Sequence, residues 1–260
     1  ENAGGYASYR NTSVKYFPLG DDAFPEIVRQ LEKAESFIFL EFFIIREGIF
    51  WNTILEILQR KARSGVEVRV MYDDIGCMTT LPRDYVSTLT SMGIKAKTFA
   101  KVTPFFSTHY NNRDHRKILV IDGKAAFSGG INLADEYINK EERFGKWKDN
   151  CFLLQGDAVR NYTLMFLQLW NTTVSQDAKL YQPYVSVRSD RVPREGDGFI
   201  IPYGDGPHSP VSVAQSIYLN IIHSAVDYVH IMTPYLVLDD EMLNALKRAA
   251  KSGIDVRILL

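Results

Sequence analysis

The sequence predicts an α/β fold, a sandwich of helices around a mixed, largely parallel sheet, and three observations carry that expectation. Between residues 24 and 99, apolar stretches with helical period alternate with short β-branched and aromatic runs, the pattern of β-α-β units. A hairpin signal, Asp122-Gly123 between two β-branched runs, follows. With 260 residues, 46% hydrophobic and 12% aromatic, the chain has enough apolar content to bury a core.

Taken in order, Phe24, Ile27, Val28 and Leu31 follow helical spacing after a polar loop, with Pro25 where a first-turn proline is tolerated. Phe37 to Ile45 reads as a buried strand, interrupted by Glu41. Trp51, Ile54, Leu55, Leu58 and Ala62 mark the next helix, which Gly65 stops. Val66 to Tyr72 is a strand, Pro82 to Met92 a helix closed by Gly93, and Ile94 to Phe99 a strand. After the hairpin, Cys151 to Leu154 reads as a strand. Ala158 to Trp170 reads as a helix with Val159, Tyr162, Phe166 and Leu169 on one face. Asn171 to Asp197 is polar and proline-containing, a connector.

Beyond the connector the chain repeats itself. Lys61-Ala62-Arg63-Ser64-Gly65-Val66-Glu67-Val68-Arg69-Val70 is echoed by Ala249-Ala250-Lys251-Ser252-Gly253-Ile254-Asp255-Val256-Arg257-Ile258, and Ser36-Phe37-Ile38-Phe39-Leu40 by Asp227-Tyr228-Val229-His230-Ile231. Residues 1–196 are therefore read as a first domain, and 197–260 as the start of a second copy that breaks off in mid-strand.

Composition narrows function. A net charge of -1 lacks the basic excess of a nucleic-acid binder, so no nucleic-acid partner is expected. Cys77 and Cys151 stand in no metal or redox spacing and suggest buried thiols in a reducing compartment. Asp73-Asp74 at a strand end reads as turn or cap carboxylates before it reads as a metal site. No run approaches the roughly 18 apolar residues of a membrane span. The start, Glu1 to Tyr6, has neither an initiator methionine nor a signal-peptide pattern and reads as a cut.

The chemistry gathers on the hairpin, Arg113 to Asn132. Side chains alternate along a strand, so His115 and Lys117 share a face, while Asp122 has the opposite parity and reads as a turn carboxylate. A regular two-residue turn sets Ile121 opposite Lys124, Ser128 opposite Lys117 and Gly130 opposite His115. The glycine then leaves an open pocket over the imidazole, into which Asn132 points its amide, provided no bulge intervenes. An imidazole, an ammonium, a hydroxyl and an amide around a gap suit a phosphodiester: the ring attacks phosphorus and the donors hold its non-bridging oxygens.

The pattern His115-x-Lys117-x4-Asp122-x6-Gly129-Gly130-x-Asn132 resembles the signature of the phospholipase D superfamily. Arg113-Asp114, Leu133-Ala134-Asp135-Glu136-Tyr137 and Phe144-Gly145-Lys146-Trp147-Lys148-Asp149 resemble the flanks of bacterial cardiolipin synthases, as does Gly130, where the wider superfamily more often has serine. The resemblance implies a phospholipase D-like sandwich without metal or cofactor. It implies His115 as nucleophile, Lys117 and Asn132 on the phosphate oxygens and Gly129 and Gly130 permitting close approach. Asp122 joins the site residues on the resemblance alone, and Asp149 is implied to orient the ring, since a nucleophilic imidazole needs its other nitrogen held.

The implied reaction moves a phosphatidyl group between two phosphatidylglycerol molecules through a phosphohistidine, releasing glycerol, at a bacterial cell membrane whose anionic lipid is the partner. Membrane helices ahead of the catalytic part are implied as well. The superfamily needs two facing motifs, yet His208, His223 and His230 have no lysine two positions on. A second half in cis, or a second copy, is thus an expected partner, and the 260 residues alone are expected to be nearly inactive. Two rivals stand beside this reading: a hydrolase of the same superfamily with water as acceptor, and a catalytically silent half that only binds or pairs. Lys140, Arg143, Lys146 and Lys148 against Glu141 and Glu142 read either as a headgroup patch or, more commonly, as a solvated face. The loop Thr103-Pro104-Phe105-Phe106 reads as packing or as an acyl contact, and His109 has no partner in sequence.

Overall fold

A computed structural model describes residues 6–100, 113–172, 180–187, 198–206 and 211–260. The loop Thr103–Phe106, His109 and His208 lie outside the described residues. The chain divides into two compact units, Ala7–Pro202 and Tyr203–Leu260.

In the first unit the elements run β1 Thr12–Phe17, α1 Gly20–Glu32, β2 Phe37–Phe42, α2 Ile49–Arg63, β3 Glu67–Asp73 and the short α3 Asp74–Cys77. Then come α4 Tyr85–Ser91, β4 Lys95–Phe99, β5 Ile118–Ile121, β6 Ala125–Gly129, a 3-10 turn at Asp135–Ile138, β7 Cys151–Gly156, α5 Val159–Trp170 and α6 Gln182–Val185. Seven strands form one sheet in the order β1-β7-β6-β5-β2-β3-β4. Ile38, Leu40, Val68, Val70, Leu119, Ile121, Phe127 and Leu153 face α1, α2 and α4 in the main core, which also takes in the buried thiols Cys77 and Cys151. On the opposite face Phe39 stacks on Phe166 of α5 at 4.7 Å and meets Tyr184 of α6 at 5.2 Å. Helices thus cover both faces, the expected α/β/α sandwich.

The expected parallel majority is not found. Among the described strands of this sheet β2–β3 and β3–β4 are parallel, while β2–β5, β5–β6, β6–β7 and β7–β1 are antiparallel. Helical crossovers link only the parallel strands; β5 returns to β6 through a tight turn, which forces antiparallel pairing. Strand β1 and helix α6 escaped the sequence reading. The first is an edge strand whose middle residues are exposed, leaving no alternating pattern, and the second is a single turn inside the connector.

The hairpin turn has the expected dihedrals, with φ of 53° at Asp122 and 64° at Gly123, and Lys124 N–H donates to Ile121 O at 2.9 Å. Pairing then slips by one, however: Ile121 pairs with Ala125 and Ser128 with Ile118, because Lys124 is taken up as an extra residue. The register expected from the sequence, with Ser128 opposite Lys117, is therefore corrected.

The second unit repeats the α-β-α-β start of the first, with α7 Val213–Ser224, β8 Tyr228–Met232, α8 Asp240–Lys251 and β9 Asp255–Leu259. β8 and β9 are parallel, and Tyr228 pairs with Asp255 as Phe37 pairs with Glu67, the positions the sequence repeat equates. Gly253 (φ 92°) ends α8 as Gly65 (φ 93°) ends α2, the left-handed cap that the paired Ser-Gly signals require.

Candidate active site

His115 lies on the segment 113–117 that leads into β5, at the end of the sheet where β2 and β3 finish. The last residue of β3, the fully buried Asp73, accepts the Asp114 N–H on Oδ2 at 3.0 Å and pairs with Arg113 Nη1 at 3.4 Å. Its other oxygen accepts the Gly76 N–H at 2.9 Å and so caps α3. One carboxylate thereby fixes the backbone just before His115, a cap role for the Asp73-Asp74 pair. Just past β2, the Phe43 ring centroid lies 4.8 Å from that of His115, and Lys117 Nζ stands 5.5 Å from the same ring. Lys117 is 5% exposed, and its Nζ donates to the His115 carbonyl at 2.6 Å. Imidazole and ammonium are neighbours against one aromatic ring.

Burial lowers the His115 pKa below its ordinary 6.5 and the Lys117 charge lowers it further, against the pull of Asp73. The ring is therefore neutral near pH 7, the form that attacks phosphorus. Burial likewise brings Lys117 down to about 8, with Asp114 and Asp149 opposing. It remains a cation at neutral pH and loses that charge in mild alkali.

The other expected site residues fall differently. Ser128 donates from Oγ to the Lys117 carbonyl at 2.8 Å, so it braces the lysine's backbone. Asn132 is buried with both ends of its amide engaged: Oδ1 accepts the Ile44 N–H at 3.0 Å and Nδ2 donates to Tyr137 Oη at 2.8 Å. It ties the end of β2 to the 3-10 turn. At Gly129 (φ 152°) a Cβ would stand 2.4 Å from the Asn150 carbonyl, so this position admits only glycine. At Gly130 a Cβ would stand 1.9 Å from Asp149 Oδ1. The space vacated by that glycine holds a carboxylate, where the sequence reading expected an open pocket.

Asp149 and Asp122 make contacts other than those expected of them. Asp149 accepts its neighbour Asn150 N–H on Oδ1 at 2.8 Å and acts electrostatically on Lys117; among the described residues it makes no hydrogen bond to His115. Burial raises its pKa, against the Asn150 bond and the Lys117 and Lys148 charges. Asp122 sits at the far end of β5 from His115, about 20 Å away along an extended strand. There it accepts the backbone N–H groups of Glu35, Ser36 and Phe37 at 2.9, 2.8 and 2.8 Å. Its parity put it off the site, and its carboxylate pins the hairpin tip to the start of β2.

Sequence reasoning missed a buried acid pair beside the site. Glu41 of β2 is fully buried; Arg116 Nε lies 2.5 Å from its Oε1 and 3.4 Å from Asp114 Oδ1. Burial pushes the Glu41 pKa well up, and the Asp114 carboxylate adds to the rise against Arg116. Burial raises Asp114 too. The available signal was a carboxylate inside a strand whose every residue is buried.

A family described as "Cardiolipin synthase, PLD-like domain" matches residues 27–170 and 218–260, most of the chain. The chain belongs to that family. Among similar proteins, an uncharacterized protein of Streptococcus mutans is 53% identical over 258 residues, covering 99% of this chain and 55% of that protein. The cardiolipin synthase of Alkalihalophilus pseudofirmus is 39% identical over 251 residues, covering 96% of this chain and 49% of the synthase. This PLD-like chain thus spans about half the length of the relatives it matches. Its fold is shared with the phosphatidylserine synthase of Haemophilus influenzae, at a TM-score of 0.68 and 12% identity over 99% of this chain and 63% of that one.

Proposed function

We propose that this chain supplies the nucleophilic half of a phosphatidyltransferase that makes cardiolipin from two phosphatidylglycerol molecules at a bacterial membrane surface. The observation that carries the reading is the pairing of a neutral His115 with a buried, charged Lys117 against Phe43, in a member of the cardiolipin synthase family. A His115 ring nitrogen attacks the phosphorus, the bond from phosphorus to the glycerol oxygen breaks, and the leaving alkoxide takes a proton from an acid on a facing second motif. The hydroxyl of a second phosphatidylglycerol then gives its proton to that facing group and attacks phosphorus, the phosphorus–nitrogen bond breaks, and both His115 and the acid are restored. Two displacements keep the configuration at phosphorus. Lys117 offsets the charge gathering on the non-bridging oxygens. Gly129 and the braces Ser128 and Asn132 hold the frame, while Asp149 tunes Lys117. The acid comes from a second half in cis or from a second copy, since His115-x-Lys117 is the only His-x-Lys in the 260 residues. No helix among the described residues is long and apolar enough to cross a membrane.

The test is to incubate the chain with phosphatidylglycerol labelled in its phosphate, quench in alkali and map the label. The expected result is an alkali-stable, acid-labile adduct on His115, absent in His115→Asn, with cardiolipin as product at concentrations where two copies pair. Label that survives His115→Asn overturns the nucleophile, and phosphatidic acid as the sole product overturns transfer in favour of hydrolysis.

A further inference from the structure

The loop beside the site carries an exposed aromatic among cations. Phe144 is 80% exposed, the Arg143 guanidinium lies 5.3 Å from its ring centroid, and Trp147, packed on Tyr137 at 5.1 Å, supports the loop from below. Lys140, Lys146 and Lys148 are exposed on the same loop. Glu141 is paired with Arg46 and Arg143 with Glu136, which leaves Lys140, Lys146 and Lys148 against Glu142 on the loop. In a chain of net charge -1 this is a local excess of positive charge.

The same rim carries other apolar side chains that folding leaves in water. Ile49 is 54% exposed and Met78 is 62% exposed. The Ile49 N–H donates to Asp135 Oδ2 at 2.9 Å in the 3-10 turn that leads into the loop, Arg46 of the same segment pairs with Glu141 of the loop, and the Met78 turn is tied to that segment by Thr80 Oγ1 donating to Ile45 O at 2.7 Å. All three segments follow the ends of β2 and β3 or the 3-10 turn, the end of the sheet that holds His115. A large aromatic held in water costs free energy that burial among acyl chains recovers, and surrounding lysines and arginines add attraction to an anionic surface.

We propose that the loop Asn139–Lys148, with Phe144 at its tip and Ile49 and Met78 beside it, docks this chain on an anionic bilayer and turns the His115 site toward the lipid. The inference rests on the lipid-substrate reading above and adds the surface through which substrate arrives. Phe144 enters the headgroup and acyl boundary, and Lys140 and Lys146 contact the phosphates.

The experiment measures binding of the full chain to phosphatidylglycerol vesicles and to phosphatidylcholine vesicles by co-sedimentation at two salt concentrations. Binding is expected to the anionic vesicles and to weaken with salt. Phe144→Ser is expected to weaken it roughly tenfold, and Lys140→Gln with Lys146→Gln by a similar factor. His115→Asn is expected to bind as the unmodified chain does. His115 labelling by a short-chain phosphatidylglycerol below its micelle concentration is expected to be the same in Phe144→Ser, so loss of docking and loss of chemistry are read apart. Unchanged vesicle binding by Phe144→Ser overturns the proposal. A changed sedimentation coefficient in that variant with vesicle binding intact overturns it too and assigns the surface to a second copy.

Discussion

A lysine buried next to a histidine is kept for its charge and at the expense of the fold. Lys117 has a folded pKa of about 8 against an ordinary 10.5, so the unfolded chain binds the proton more tightly and stability climbs as pH rises from about 8 to 10.5. Lys117→Met is expected to lose that climb and to gain about 1–3 kcal/mol at pH 7 by urea denaturation. Its His115 labelling is expected to fall roughly a hundredfold or more. In the unmodified chain, phosphodiester binding should decline as pH passes through about 8 and the cation is lost. Glu41 works in the opposite sense. Its folded pKa is raised above 4.5 by burial, so the fold favours the protonated form and stability falls as pH climbs from 4.5 through the raised value. Glu41→Gln is expected to flatten that fall in denaturation curves taken across pH, and a variant with the original slope would remove Glu41 as its cause. His115 and Lys117 were legible because alternation along one strand brings them together locally. The hold of Asp73 on Asp114 and of Asn132 on Ile44 was not, since those partners lie 41 and 88 residues apart in the chain.

At the scale of elements, two carboxylates act as long-range fasteners. Asp122 holds three backbone N–H groups at the entry to β2, so Asp122→Ala is expected to cost about 2–4 kcal/mol in thermal or chemical unfolding while the folded fraction keeps its His115 labelling. Helix α2 begins without a side-chain cap of its own, and Asp135 supplies one from 85 residues on, accepting from Ile49 and Phe50 N–H at 2.9 and 2.8 Å. Helices and buried strands were readable because their apolar periods are set within a few residues. The hairpin turn was readable too, since Asp-Gly is suited to two positive φ angles. Its register was not, because nothing in the sequence distinguishes Lys124 as the first paired residue from Lys124 as an extra one. Strand direction failed for a related reason: period reveals that a strand exists, and only the length and content of the connection reveal which way it runs.

For the molecule as a whole, the shared register of β2–β3 and β8–β9 makes the second unit a restart of the first, and the motif chemistry appears in the first alone. Turnover by this chain is therefore expected to be negligible when dilute and to rise with the square of concentration if two copies pair, which sedimentation alongside a cardiolipin assay checks; steady turnover by a strict monomer would refute it. The two cysteines give an independent view of the first unit. Cys77 and Cys151 are buried in one core, and burial raises both thiols to about 12. Neither offers a thiolate to an alkylating reagent while α3 and β7 are in place. Their rates of modification are a pair of clocks for local opening, one beside the Phe43 carbonyl and one beside Gly129, and a ligand that tightens the site slows both without touching either sulfur.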